Sequence, residues 1–189
     1  MQITEFIDSD HAGDKVTRRL RTGVLIYINC APIICYYKKH NIIETSTFGS
    51  EFADLKVGVK IVQCLRYKLR MMGIPIEGAV NMRVNNMSVV NNKYTPESML
   101  RKKSNYIAYD FVRECIVAGI CLIRYEPTGS NLADALTKIQ PVPVDQEIVH
   151  KVFWYSGSLW FWLVALPTYL LFSDRFIFKC EGTYICWVL

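Results

Sequence analysis

This chain offers no zinc-type ligand set. Its only histidines are His11, His40 and His150, and its seven cysteines include no C-x-x-C pair. An odd number of thiols excludes a fully paired disulfide framework, so reduced and mostly buried thiols of an intracellular protein are expected. The opening MQITEFIDSDHAGDK lacks both a basic n-region and an apolar h-region, so no signal peptide is expected there. Neither sign of charge dominates. With 22 basic and 17 acidic residues, the net +5 is compatible with a polyanionic partner without demanding one. The chain lacks internal repeats, and 51% apolar with 21% charged residues excludes disordered and low-complexity classes. Its 189 residues suffice for a core without covalent staples.

Charge is also missing from one place. Between Val152 and Phe172 no charged residue occurs (VFWYSGSLWFWLVALPTYLLF). The whole positive excess lies in residues 1–145, with 19 basic against 14 acidic, while residues 146–189 hold three of each. The break follows the linker-like Gln140-Pro-Val-Pro-Val144. Two parts are therefore expected, a globular domain over 1–145 and a hydrophobic C-terminal tail over 146–189. Three readings of the tail stay open. It is flanking sequence without selected structure, a hydrophobic helix packed on the domain or a partner, or a membrane anchor through residues 152–172. The anchor would make the membrane the runner-up to an intracellular location, although Pro167 does not favour it.

Along the first part, Ile3–Ile7 reads as a strand leading into an acidic loop. Thr22–Ile28 and Ile33–Tyr37 are β-branched and aromatic runs at hairpin spacing, separated by Asn29–Pro32. Leu55, Val59, Val62, Leu65, Leu69 and Met72 recur at three and four, which predicts a long helix stopped by Gly73 and Pro75. A strand over Ala79–Val84, a helix over Ser104–Ala118 and a strand over Gly119–Glu126 follow. Ser130 is the expected cap of a short helix over Asn131–Lys138. The order β-β-β-α-β-α-β-α predicts an α/β fold, a mixed sheet with helices packed on it.

Polynucleotide hydrolysis by two metal ions needs several carboxylates converging from different elements. Asp8 follows the first strand, Glu51 is expected in the first turn of the long helix, and Asp134 falls early in the last one. The end of the strand at Val84 would supply a fourth, but Asn85 and Asn86 stand there. Each acid alone also suits an ordinary cap or helix-dipole partner.

The segments FIDSDHAGD, RRLRTGVLIYI, KKHNIIETSTFGSEFADLK, VNNMSVVNN and SNLADALTK occur in order over about Glu5 to Lys138. Together they resemble the ribonuclease H domain of copia-type LTR-retrotransposon polyproteins. The resemblance implies an RNase H-like mixed five-stranded sheet flanked by helices. It implies hydrolysis of the RNA strand of an RNA–DNA hybrid with two Mg2+ ions, and reverse transcriptase and integrase portions in the same polyprotein. Asp8, Glu51 and Asp134 match the family's catalytic, metal-binding acids. Asn85 stands where the remaining aspartate belongs, in a step reading Val84-Asn85-Asn86-Met87-Ser88, and Tyr109-Asp110 replaces a Tyr-His step.

Asparagine is neutral and offers one acceptor oxygen, so the cage loses a negative charge against two dications. A weakened or inactive nuclease is therefore expected, and a tail-anchored membrane or interaction protein with a non-catalytic domain is the alternative. The resemblance also gives a use to the basic clusters Arg18, Arg19 and Arg21, Lys38 and Lys39, and Arg101, Lys102 and Lys103. They are the expected phosphate contacts on a hybrid read by shape, although each cluster alone also suits a solvated face.

Overall fold

The computed structural model describes residues 1–10, 19–40, 47–92, 103–138, 178–180 and 183–187. Strand β1 (Ile3–Asp10) buries Ile3, Glu5 and Ile7 on one face, the alternation expected of a half-covered strand. It runs three residues beyond the expected end, because the ladder to β2 (Arg21–Ile28) continues through Asp8↔Gly23 to Asp10↔Arg21. Asp8 is thus a strand residue and not part of a following loop. The β2–β3 hairpin is tighter than its sequence spacing implied. Strand β3 (Ala31–Lys39) begins at once after Asn29 and Cys30, and Asn29 takes a positive φ of 54°, which asparagine tolerates in such turns.

Helix α1 (Thr47–Met71) lays Phe52, Leu55, Val59, Val62, Leu65 and Leu69 against the sheet. Each such side chain contributes about 1.5–3 kcal/mol on burial. Met72, expected on that stripe, is exposed, since the helix has ended. Gly73 adopts φ 72°, its N–H bonds to the Arg70 carbonyl, and the Ile74 N–H reaches back to Leu69. Only a residue free of a Cβ takes this left-handed closing turn without strain. Because α1 starts at Thr47, Glu51 falls in its second turn and not its first.

Strand β4 (Val80–Val84) pairs parallel with β1, and β5 (Cys121–Tyr125) pairs parallel with β4. Between them lie α2 (Met87–Asn92), which has no apolar periodicity to announce it, and α3 (Lys103–Val117). The expected last helix is shorter. Thr128–Ser130 form a 3-10 turn, and α4 covers Asp134–Thr137 with Ala133 before it, so Ser130 does not cap it. The Ser130 hydroxyl bonds instead to the Pro127 carbonyl.

The expected five strands are present in the order β5-β4-β1-β2-β3, with helices packed on them. Two short C-terminal strands, β6 (Phe178–Cys180) and β7 (Thr183–Trp187), continue the sheet from the β3 edge. The expected domain limit at residue 145 and the apolar run 152–172 lie outside the described residues. Among the described residues no helix is long and apolar enough to cross a membrane.

One core position breaks the apolar rule. Glu5 is fully buried and, among the described residues, neither carboxylate oxygen has a hydrogen-bond partner. It lies under Gly58 of α1, where a Cβ would come within 2.8 Å of Glu5 Oε1 and 2.6 Å of Ile7 Cδ1. Burial pushes its pKa to about 8, so the native state holds it protonated at neutral pH. The folded protein then binds a proton that the unfolded chain releases near 4.5. Glu5 therefore carries no ionisation penalty below that pH and erodes stability as pH rises towards 8, by about 1.4 kcal/mol per pH unit. Glu5→Gln is expected to unfold at the same urea concentration as the parent near pH 4 and at a clearly higher one at pH 8. Equal midpoint differences at both pH values would show that Glu5 does not titrate in the native state.

Candidate active site

Three chain segments far apart in sequence meet at one end of the sheet. Parallel pairing aligns the C-terminal ends of β1 and β4, and the register Ile7↔Val84 makes Asp8 and Asn85 neighbours. The Asn85 Nδ2 donates to Asp8 Oδ1 over 2.6 Å. Helix α4 then brings in Asp134 and two further donors. The Thr137 hydroxyl donates to Asp8 Oδ2, and Lys138 Nζ lies 2.7 Å from Asp134 Oδ1 and 3.6 Å from Asp8 Oδ2. Asn131, almost fully buried, holds this segment to β1. Its Nδ2 donates to the Ile7 carbonyl at 2.9 Å, and its Oδ1 accepts the Ala133 N–H at 3.1 Å.

Glu51 enters from α1. Its pKa is raised to about 7, chiefly by burial and next by the Asp8 charge, while an Asn86 side-chain hydrogen bond and the Lys138 charge oppose the shift. Asn86 has a second task, since its Oδ1 accepts the Ser88 N–H at 2.9 Å and caps α2. Asp134 is likewise raised, to about 6. Burial is the main cause, the Lys138 hydrogen bond opposes it, and the neighbouring Asp8 carboxylate adds to it. Both shifts have the sign of carboxyl groups crowded together out of water.

A second layer lies behind these acids, and sequence reasoning did not single it out. Asp54, one turn after Glu51 on α1, is fully buried. The Thr22 hydroxyl donates to its Oδ1 and lies 2.6 Å from His40 Nε2, which is itself 3.5 Å from Asp54. Burial holds Asp54 well above the usual carboxylate range. The Ser9 and Thr22 hydroxyls oppose that shift, and Glu51 and Asp8 add to it. Burial also lowers His40, with help from the Lys38 charge. The sequence did carry one signal for Asp54, an acid wedged between the core positions Phe52 and Leu55. Asn131, Thr137 and Lys138 lie in the SNLADALTK segment that carries the resemblance, but the partners of Asn131 and Thr137 are more than a hundred residues away, so their contacts were not legible there.

The other expected residues divide by position. Arg19 is exposed, and Arg21 pairs with Asp10 at 3.8 Å. Arg21↔Lys39 and Thr22↔Lys38 are cross-strand neighbours at the sheet end that also carries Asp8. Lys103 is the first residue of α3, and Arg18, Arg101 and Lys102 lie outside the described residues. Asp110 lines a depression on α3 with Arg113 and Glu114, and none of the clustered acids borders it.

Carboxylate and amide oxygens suit Mg2+ in kind. Their arrangement does not fit a pair of dications. Both Asp8 oxygens are taken up by protein donors, and among the described residues no group of three or more His, Cys, Asp or Glu side chains is arranged to hold a metal ion.

The approach of α4 to the sheet depends on Gly23. A Cβ there would come within 2.9 Å of both Leu136 Cβ and Thr137 Cγ2, and 3.0 Å of the Ala133 carbonyl. Gly23→Ala is expected to push α4 away from Asp8 and to cost about 1–3 kcal/mol, read from urea unfolding. Adding Thr137→Ser should recover only part of this, since the Leu136 and Ala133 contacts remain.

No protein-family model matches the chain. It is 25% identical over 138 residues to a retrovirus-related Pol polyprotein from transposon RE1 of Arabidopsis thaliana, which covers 73% of this chain and 9% of the polyprotein. Among solved structures, LC11-RNase H1 in complex with an RNA/DNA hybrid aligns with a TM-score of 0.54 at 16% identity, over 71% of this chain and 93% of that one. RNase H1 from Halobacterium salinarum aligns at 0.52 and 14%, over 72% and 94%. The N-terminal RNase H domain of rv2228c from Mycobacterium tuberculosis aligns at 0.52 and 11%, over 77% and 97%. The fold is that of RNase H, and the sequence likeness is to the retrotransposon polyprotein.

Proposed function

We propose that this chain, an RNase H domain of the retrotransposon polyprotein kind, engages RNA–DNA hybrids and descends from a two-metal nuclease whose catalytic power is weakened here. One observation carries the reading. Asp8, Glu51 and Asp134 gather at the sheet end where Asn85 occupies the place next to Asp8. The basic residues Arg21, Lys38 and Lys39 stand at the same end, on the neighbouring strands β2 and β3. Acids that would handle a scissile phosphate and cations that would hold the flanking phosphates thus share one edge.

Asp8, Glu51 and Asp134 are the residues that would hold metal ions, which when bound would supply Lewis-acid activation of a water. This chain's own groups have narrower tasks. Asp8 accepts from Asn85 and Thr137, so a new ligand on its carboxylate competes with both donors. Asn85 donates a hydrogen bond to Asp8 where an aspartate would contribute charge of the same sign. The chain spans only 9% of the polyprotein it matches, so reverse transcriptase and integrase portions are proposed partners within a longer product in the cell.

Two measurements test this. On a fluorescent RNA–DNA hybrid with Mg2+ or Mn2+, the parent chain should cleave near background and Asn85→Asp at least ~10-fold faster, the scale of changes at metal sites. Robust parental cleavage that Asp8→Asn abolishes would refute the loss of catalytic power. Hybrid affinity by fluorescence anisotropy should fall at least ~10-fold between about 50 and 200 mM salt, as phosphate contacts require. An affinity insensitive to salt would remove the basic edge from the reading.

A further inference from the structure

We infer that Lys138 is the resident cation of the acidic cluster, an internal ammonium that a divalent ion must displace. The inference rests on reading the cluster as a nuclease-type acid site. It concerns what occupies that site and not what the site binds along its edge.

The geometry points to Lys138 because of how the oxygens of Asp8 are used. Its Oδ1 accepts from Asn85, and its Oδ2 accepts from Thr137 and faces the Lys138 ammonium at 3.6 Å. The same ammonium is 2.7 Å from Asp134 Oδ1. Lys138 therefore bridges the aspartates of β1 and α4 and also acts electrostatically on Glu51. A metal ion held by these acids would supply positive charge to the same two carboxylates. A lysine there supplies one positive charge where two dications would supply four.

The placement of Lys138 is built in. Its N–H bonds to the Asp134 carbonyl at 3.0 Å, which makes it the C-terminal cap of α4, with the chain turning extended at φ −118°, ψ 147°. A lysine four residues after an aspartate on one helical turn reaches back to it, and Asp134 lies directly beside Asp8. Its side chain is more than a third exposed, so the ammonium can swing out to water when a stronger cation arrives. Asn85 works in the same direction, since its amide donates to Asp8 instead of presenting a further anionic ligand.

The test uses the full chain without nucleic acid. Thermal unfolding is recorded in EDTA and in about 10 mM MnCl2 for the parent, Lys138→Met and Lys138→Arg. With the ammonium removed, the three carboxylates repel one another. Lys138→Met should melt several degrees lower in EDTA and rise by at least ~3 °C with Mn2+, the shift that about 1 kcal/mol of ligand stabilisation gives a chain of this size. The parent and Lys138→Arg should each move by less than ~1 °C on that scale. A Lys138→Met response no larger than the parental one overturns the inference. Should Lys138→Met fail to fold in EDTA, free-Mn2+ signal loss by EPR is read on the parent and on Lys138→Gln, and equal Mn2+ binding by the two overturns it. A chain that binds hybrid yet shows no difference between the lysine variants loses this inference alone. A chain with the expected metal response that ignores hybrid loses the proposed function alone.

Discussion

The fold must hold four carboxyl groups together where water is scarce. Asp8, Asp134 and Asp54 are buried and Glu51 stands beside them, so each negative charge loses hydration and meets like charges nearby. Such a cluster survives only if donors and cations stand within reach. The chain supplies them from every element that converges there. Asn85 comes from the end of β4, Thr137 and Lys138 from α4, Asn86 from the start of α2, and Thr22 from β2. The remaining cost is visible in the carboxyl groups of Glu51 and Asp134, both held above their ordinary range.

The same constraint explains the shape of the domain. Parallel pairing of β1 with β4 lets two strand ends project to one edge, and the antiparallel β1–β2–β3 meander brings Arg21 and Lys39 to that edge as well. Close approach is then needed twice, and glycine provides it twice. Gly58 lets α1 descend onto Glu5 and Ile7, and Gly23 lets α4 lie on β2 with Asp134 against Asp8. Glu5, with no hydrogen-bond partner among the described residues, is held as a neutral acid by its burial.

Much of the architecture was legible in the residues. The alternation of Ile3, Glu5 and Ile7, the β-branched run of β2 and the three-four spacing from Leu55 to Leu69 each report which face meets the core. Periodicity is a local property of burial, and it survives without knowledge of the partner surface. Boundaries were less legible. Strand β1 extends to Asp10 because β2 keeps pairing with it, and α4 shrinks because Asn131, pinned to the Ile7 carbonyl, bends the chain before Asp134. Helix α2 is six residues long and held by its Asn86 cap, too short for a period to show.

The sequence by itself determined the kinds of residue available: carboxylates at positions 8, 51 and 134, an amide at 85, a basic excess in the first 145 residues and a fold of mixed strands and helices. Covalent order and side-chain chemistry are enough for that, because they need no distances. Tertiary structure alone decided that the Lys138 ammonium stands between Asp8 and Asp134, that Asp54 backs the site with Thr22 and His40, and that Asp8 spends both oxygens on protein donors. Those outcomes depend on contacts between groups as much as 129 residues apart, and packing sets such separations with no trace in local composition.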